Sequence, residues 1–189
     1  MSKRFIAVAL LLFAAACTSP IQLVEPPNRI IINKTYSVAP SVPWTSYSTV
    51  SNVTWTIDGP GLQSLVFVDG VKDGGPLFAK RRKKNMPEYR KGMTPIEIKD
   101  LFISTLGRYN YHQLKVRKMR PTMVGDARGF RFNFSGTTKA GLRKRGFAVG
   151  AVRNDMLYLV YYWGTELHYY DKHRRDAERI VASLKFVKA

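Results

Sequence analysis

Cysteine is almost missing from this chain. Cys17 is the sole cysteine among 189 residues, so no intrachain disulfide can form and the fold must be held by its core. Histidine is nearly as scarce: His112, His168 and His173 show no metal-ligand spacing, whereas a zinc site needs four protein ligands, or three plus a water. A Gly-x-Ser-x-Gly nucleophile elbow does not occur. Acidic residues number 13 against 31 Lys and Arg, and the carboxylates Asp58, Asp69, Glu88, Asp126, Asp155 and Glu166 are not spaced in a way that argues for a glycosidase pair. Asp58, Asp69 and Asp155 stand in turn-like sequence, where Asp side chains satisfy backbone donors. The apolar run at residues 5–16 falls short of the about 20 residues that span a bilayer. These absences leave no metal, no cofactor and no catalytic residue to expect.

What is present begins at the N-terminus. Lys3 and Arg4 precede the apolar run, which ends in Ala14, Ala15 and Ala16 just before Cys17. Cations, an apolar stretch and small residues are the layout of a secretory signal, and the cations resist translocation. Cys17 sits where the lipid-modified cysteine of a bacterial lipoprotein sits. The resemblance to the lipobox departs from the usual pattern at Ala14, where Leu is common. The expectation is a signal peptide at 1–16, lipid on Cys17 and attachment to a membrane. One acyl chain anchors marginally, at about 0.8 kcal/mol per buried methylene, and lipoproteins of this type resemble one another in carrying several. Thr18, in place of Asp, favours the outer membrane facing the periplasm by analogy with enteric sorting.

The net charge is +18, and +16 without Lys3 and Arg4. Such an excess attracts polyanions. Arg81, Arg82, Lys83 and Lys84 are adjacent, repel one another and belong on a solvated loop, which makes them the candidate anion-binding residues. In an envelope the partners this implies are an anionic polymer, built of lipid phosphates, lipopolysaccharide or peptidoglycan carboxylates, or an envelope protein. Two other functions are weighed beside a non-enzymatic binding or assembly domain. One is an envelope hydrolase acting on glycan or lipid through carboxylates that spacing does not identify. The other is a cytoplasmic nucleic-acid binder, which requires residues 1–17 to be no signal at all. Neither a recognition-helix pattern nor zinc-finger spacing accompanies the charge, so no nucleic acid is expected as a partner.

Along the rest of the chain, residues 17–43 read as a lipidated cysteine and a Pro-rich tether, with Pro20, Pro26, Pro27, Pro40 and Pro43 disfavouring regular structure apart from a short strand at 29–33, where the three isoleucines are β-branched. Residues 44–189 read as one domain. Val53, Trp55 and Ile57 alternate with polar residues, 62–69 is apolar enough to be buried on both faces, and a third short strand is expected at 77–80. Asp69-Gly70 is a turn signal. Thr94, Pro95 and Glu97 form a capping box with proline at the first helical position, ahead of an apolar stripe at Ile98, Leu101, Phe102, Thr105 and Leu106. Strands follow at 113–119 and at 129–135, where Phe130, Phe132 and Phe134 share a face. A hairpin turns at Asn154-Asp155. A last helix starts near Asp171, with Ala177, Ile180, Val181 and Leu184 on its apolar face. Tyr158, Tyr161, Tyr162, Trp163, His168, Tyr169 and Tyr170 concentrate aromatic surface that serves either a core or a glycan site. The expected class is α+β: an antiparallel sheet with two main helices packed on it, preceded by a small N-terminal β unit.

Four stretches carry a likeness to known proteins: residues 55–60 (Trp-Thr-Ile-Asp-Gly-Pro), 68–74 (Val-Asp-Gly-Val-Lys-Asp-Gly), 89–93 (Tyr-Arg-Lys-Gly-Met) and 129–134 (Gly-Phe-Arg-Phe-Asn-Phe). Together they resemble a group of uncharacterised lipoproteins from Gram-negative bacteria, which implies an address rather than a mechanism. The C-terminal meander, with a helix ending in Ala182-Ser-Leu-Lys-Phe186, is similar in layout to PsbP-like and Mog1-like domains. Those act mostly as binding or assembly factors, although a fold does not by itself set a function.

Overall fold

The computed structural model describes residues 21–48, 52–78 and 85–187. Cys17 and the cations at 81–84 lie outside the described residues. The chain forms eleven strands and two helices: β1 (Ile21–Val24), β2 (Ile30–Ile32), β3 (Tyr36–Val38), β4 (Trp44–Ser48), β5 (Asn52–Thr56), β6 (Gln63–Val71), α1 (Pro95–Arg108), β7 (His112–Val124), β8 (Ala127–Thr137), β9 (Arg143–Arg153), β10 (Met156–Thr165), α2 (Tyr169–Ala182) and β11 (Lys185–Phe186). Among the described residues no helix is long and apolar enough to cross a membrane.

The α+β expectation is corrected. This is a mostly β molecule, dominated by an eight-stranded antiparallel sheet in the order β1-β4-β5-β6-β10-β9-β8-β7. The anticipated N-terminal β unit has no separate existence, because β6 pairs along β10 from Gln63 to Val71 and fuses both halves into one sheet. After β6 the chain passes through α1 to the far edge, enters as β7 and returns strand by strand until β10 closes against β6. Strands β6 and β10 therefore lie at the centre. This explains their unbroken apolar runs: a strand covered on both faces has no side on which polar residues are favoured.

The sheet faces are covered by one helix each. On one face Trp55, Leu65, Phe67, Phe147, Tyr158, Val160 and Tyr162 pack with Tyr170, Ala177 and Ile180 of α2. On the other, Val66, Val68, Phe130, Phe132, Phe134, Leu159, Tyr161 and Trp163 pack with Ile98, Leu101, Phe102 and Leu106 of α1. The α1 start is the capping box read from sequence: the Thr94 hydroxyl accepts from the Glu97 N–H and the Glu97 carboxylate accepts from the Thr94 N–H. Phe102 meets Phe132, Phe134 and Tyr161 edge-on at 5.5, 4.9 and 5.3 Å between ring centres. Strand β9 makes room for those rings with small residues, since Gly146, Ala148 and Gly150 stand opposite Phe134, Phe132 and Phe130.

The proline-rich segment is not a spacer from residue 21 onward. β1 joins the main sheet beside β4, while β2, β3 and β11 make a small second sheet. Tyr36 and Val38 are fully buried, and the Tyr36 hydroxyl donates to the Val68 carbonyl. Arg29 donates to the Ser183 carbonyl at the end of α2. The isoleucines of β2 pair locally with β3, at the short strand expected for them, whereas β1 pairs with β4 and β3 with β11, partners outside the segment that local composition misses. Asp69-Gly70 is likewise no turn: it is a bulge inside β6, where the pairing slips between Leu157 and Leu159. Gly70 adopts φ 56° there, a left-handed value glycine reaches without a Cβ penalty. At 77–80 the described residues show only an isolated bridge from Pro76 to Glu88.

Candidate functional site: a basic groove on strands β7 to β9

The seven aromatic and histidine residues between 158 and 170 do not form a surface site. Tyr158, Tyr161, Tyr162, Trp163 and Tyr170 are all buried, and they divide between the two faces as strand alternation requires. The Tyr162 hydroxyl donates to the Tyr169 carbonyl at 2.9 Å and so fastens the start of α2. His168 is exposed.

The carboxylates do not converge. Asp58 accepts from Lys172 Nζ at 3.0 Å and lies 2.6 Å from His173 Nε2. Burial alone raises its pKa, but hydrogen bonds from Lys172 and His173 outweigh this and hold it below 3.8. Asp69 pairs with the Thr35 and Asn33 side chains, and burial still lifts its pKa. Asp126 meets Arg153, Asp155 meets Lys91 and Glu166 meets Arg143. Among the described residues no cluster of His, Cys, Asp and Glu could hold a metal ion. The sequence reading placed Asp58 at a turn, and there it is, but its work is to tie α2 to the β5–β6 connection.

Cations collect on β7, β8 and β9, on the face that α2 only partly covers. Strand register puts Lys115, Ser135 and Arg145 in one row, Arg117, Asn133 and Phe147 in the next, and Arg120, Arg131 and Val149 in a third. Neighbouring strands are about 4.8 Å apart, so each row spans about 10 Å. Two bulges frame the cations of β7: the pairing slips between His112 and Lys115 and between Arg117 and Arg120. Gln113 and Lys118, at φ 51° and 54°, supply the left-handed backbone that a bulge uses. The result is a concavity of about 390 Å³ lined by Lys115, Arg117, Lys118, Arg143 and Arg145 over Ser135 and Asn133.

Local contacts hold the inner cations in place. Arg131 lies over the Phe147 ring at 4.2 Å and pairs with Glu178 of α2 at 2.9 Å. Arg145 lies over Tyr170 at 4.7 Å, with Asp171 3.6 Å away. Arg143 meets Glu166 at 3.0 Å. Among the described residues no carboxylate pairs with Lys115, Arg117, Lys118 or Arg120. Because exposed pairs are weak, the groove keeps a strong positive field. Sequence reasoning missed it. The tetrad at 81–84 was conspicuous because its charges are adjacent, whereas the groove gathers single cations from three strands. The signal available was alternation: Lys115 and Arg117 on β7 and Arg143 and Arg145 on β9 each recur with a period of two.

Neither a family model nor a curated protein matches the chain. Solved structures are similar to it. The solution structure of cyanobacterial PsbP (CyanoP) from Synechocystis sp. PCC 6803 aligns with a TM-score of 0.56 at 8% identity, covering 91% of this chain and 95% of that one. The crystal structure of LpqN, involved in cell envelope biogenesis of Mycobacterium tuberculosis, aligns with a TM-score of 0.38 at 9% identity, covering 90% and 93%. The likeness to cyanobacterial PsbP shows the fold alone: the molecule has a PsbP-like architecture, in keeping with the layout read from its C-terminal half.

Proposed function

We infer that this chain is an exported, lipid-anchored protein of the cell envelope whose β7–β9 groove binds an anionic envelope polymer without transforming it. The first half of this reading rests on the leader at 1–16 and on Cys17 with Thr18, which favour the outer membrane and a periplasmic domain. The second half rests on one observation above all, the cations of β7 that no carboxylate among the described residues pairs with. A cleft lined by one sign of charge concentrates the opposite sign near it. Arg81, Arg82, Lys83 and Lys84 add charge on the connection between β6 and α1 and serve as a second contact.

The test is salt-dependent binding of the purified protein to an anionic polymer such as poly-glutamate. Affinity should fall steeply as ionic strength rises, because the screening length shrinks to about 8 Å at physiological salt. The double variant Arg117→Gln with Arg145→Gln should bind several-fold more weakly and flatten that dependence. Binding that ignores salt, or that the double variant leaves intact, would move the search to a protein partner recognised elsewhere on the surface.

A further inference from the structure

Strands β1, β4 and β5 contain no Asp, Glu, Lys or Arg, in a chain that is 23% charged. One face of these strands is core: Val24, Trp44, Val53 and Trp55 are buried in the cluster that holds α2. The other face has no such cover. Among the described residues, the apolar cluster around α1 takes in β6, β8, β9 and β10 but nothing from β1, β4 or β5. Strand alternation turns Leu23 and Ile21 to that side, because Val24 points into the core. Register sets Leu23 beside Thr45 and Ile21 beside Tyr47, and Tyr47 beside Thr54. Leu23 is 64% exposed and Ile21 49%.

The two edges of the sheet differ in the same sense. β7 carries Lys115, Arg117, Lys118, Arg120 and Pro121 and two bulges, features that keep an edge strand in water. β1 has none of them. A sheet face turned to water alternates toward polar and charged side chains, whereas this one offers leucine, isoleucine, tyrosine and threonine. That mixture suits a lipid–water boundary, where aliphatic side chains enter the apolar layer and tyrosine sits at headgroup level. Chain length selects the occupant. Three residues separate Cys17 from Ile21. Fully extended, that connection reaches at most about 14 Å, while the headgroup layer on each side of a bilayer is about 6 Å deep. An acylated Cys17 therefore holds the start of β1 at the membrane surface.

We propose that the uncharged face of β1, β4 and β5, led by Ile21 and Leu23, seats on the bilayer that receives the acyl chains of Cys17. This rests on the reading of Cys17 as lipid-anchored and adds an orientation to it. Seven strand spacings separate β1 from β7, about 34 Å along the sheet. The groove also opens on the opposite face, the one that α2 partly covers. Seated in this way, the protein turns Lys115, Arg117 and Arg145 away from its own membrane. The polymer that the groove takes is then reached across the aqueous space, and is not the headgroup layer beneath the anchor.

The experiment uses the full chain, exported and processed in cells, purified in detergent and reconstituted into phosphatidylcholine–phosphatidylglycerol vesicles. Acylation consumes the Cys17 thiol, so an introduced cysteine is the sole free one. Leu23→Cys and Leu142→Cys each receive a polarity-sensitive fluorophore, and brominated lipids, which quench only at contact, read its depth. Leu142 lies in the β8–β9 turn on the far side of the sheet and is 49% exposed, so exposure alone does not separate the two positions. Both labelled variants should melt with wild type, since neither side chain is buried. The Leu23 label should shift to the blue and be quenched several-fold more strongly than the Leu142 label. Protein that floats with the vesicles while both labels are quenched alike, or neither is, overturns the seat and leaves the anchor standing. A blue-shifted Leu23 label that brominated lipid does not quench is covered by protein, a second copy or a partner, and overturns the bilayer as occupant. Protein that keeps a free Cys17 thiol and does not float overturns the anchor and the seat together.

Discussion

Asp58 is the residue through which the last helix is locked to the first half of the sheet. Its carboxylate takes Lys172 and His173 together, and His173 is only 7% exposed, edge-on to Trp44. Asp58→Asn keeps the shape but removes the negative charge and one of the two acceptor oxygens that Lys172 and His173 share, at an expected cost of about 1–3 kcal/mol at neutral pH. Because the folded-state pKa of Asp58 is depressed below 3.8, its contribution is fully present above that value and is lost as pH falls through the folded pKa. Thermal melts of both proteins should therefore differ at pH 7 and converge in acid. A constant gap across the acid range would show that packing, not charge, carries the contact. The same residue shows how little local sequence can reveal: its neighbours Gly59 and Pro60 announce a turn, while its partners stand more than a hundred positions away.

At the scale of elements, the pairing of β8 with β9 sets how the sheet meets α1. Phe130, Phe132 and Phe134 lie over Gly150, Ala148 and Gly146, so large residues on one strand fill the space that small ones leave on the next. A Cβ at Gly150 would stand 2.7 Å from the Phe130 ring and 2.9 Å from Leu159. Gly150→Val should therefore cost more than about 2 kcal/mol through overpacking and lower the denaturant midpoint, while Phe130→Leu in the same chain should restore part of it. Independent effects of the two changes would refute the complementarity. Elements with local rules were legible in the sequence. The capping box ahead of α1, the left-handed Asn154 and Asp155 of the last hairpin and the period of two in β8 are each written within a few residues. The short strand at the isoleucines was legible too, whereas β1 and β3 were not, because they become strand through pairing with β4 and β11 outside the segment.

At the scale of the molecule, the small sheet of β2, β3 and β11 joins the two ends of the described chain. Val187 donates to the Thr35 carbonyl at 2.8 Å, and Phe186 packs on Tyr36 and Tyr158. Anchorage at Cys17 would thus leave only a few residues before β1, holding the domain near the membrane rather than on a long tether. Fractionation of cells carrying native protein or Cys17→Ala tests this address. Native protein should remain with membranes and show acylated Cys17 by intact mass, whereas the variant should be released as a soluble periplasmic protein. Native protein that retains Met1 and stays soluble would refute the lipid anchor, and nucleic acid would become the first anion to test.

Sequence alone determined what depends on near neighbours and on totals: a basic chain, a capped helix, apolar faces, alternating strands and an N-terminal apolar run ahead of a lone cysteine. The weight of sheet over helix, the fusion of both halves through β6 and β10, and the basic groove were decided by tertiary structure. The physical reason is the same for all three. Backbone hydrogen bonds between strands join residues whatever their separation in sequence, and cations spaced singly along β7 and β9 become one field only when β8 lies between them.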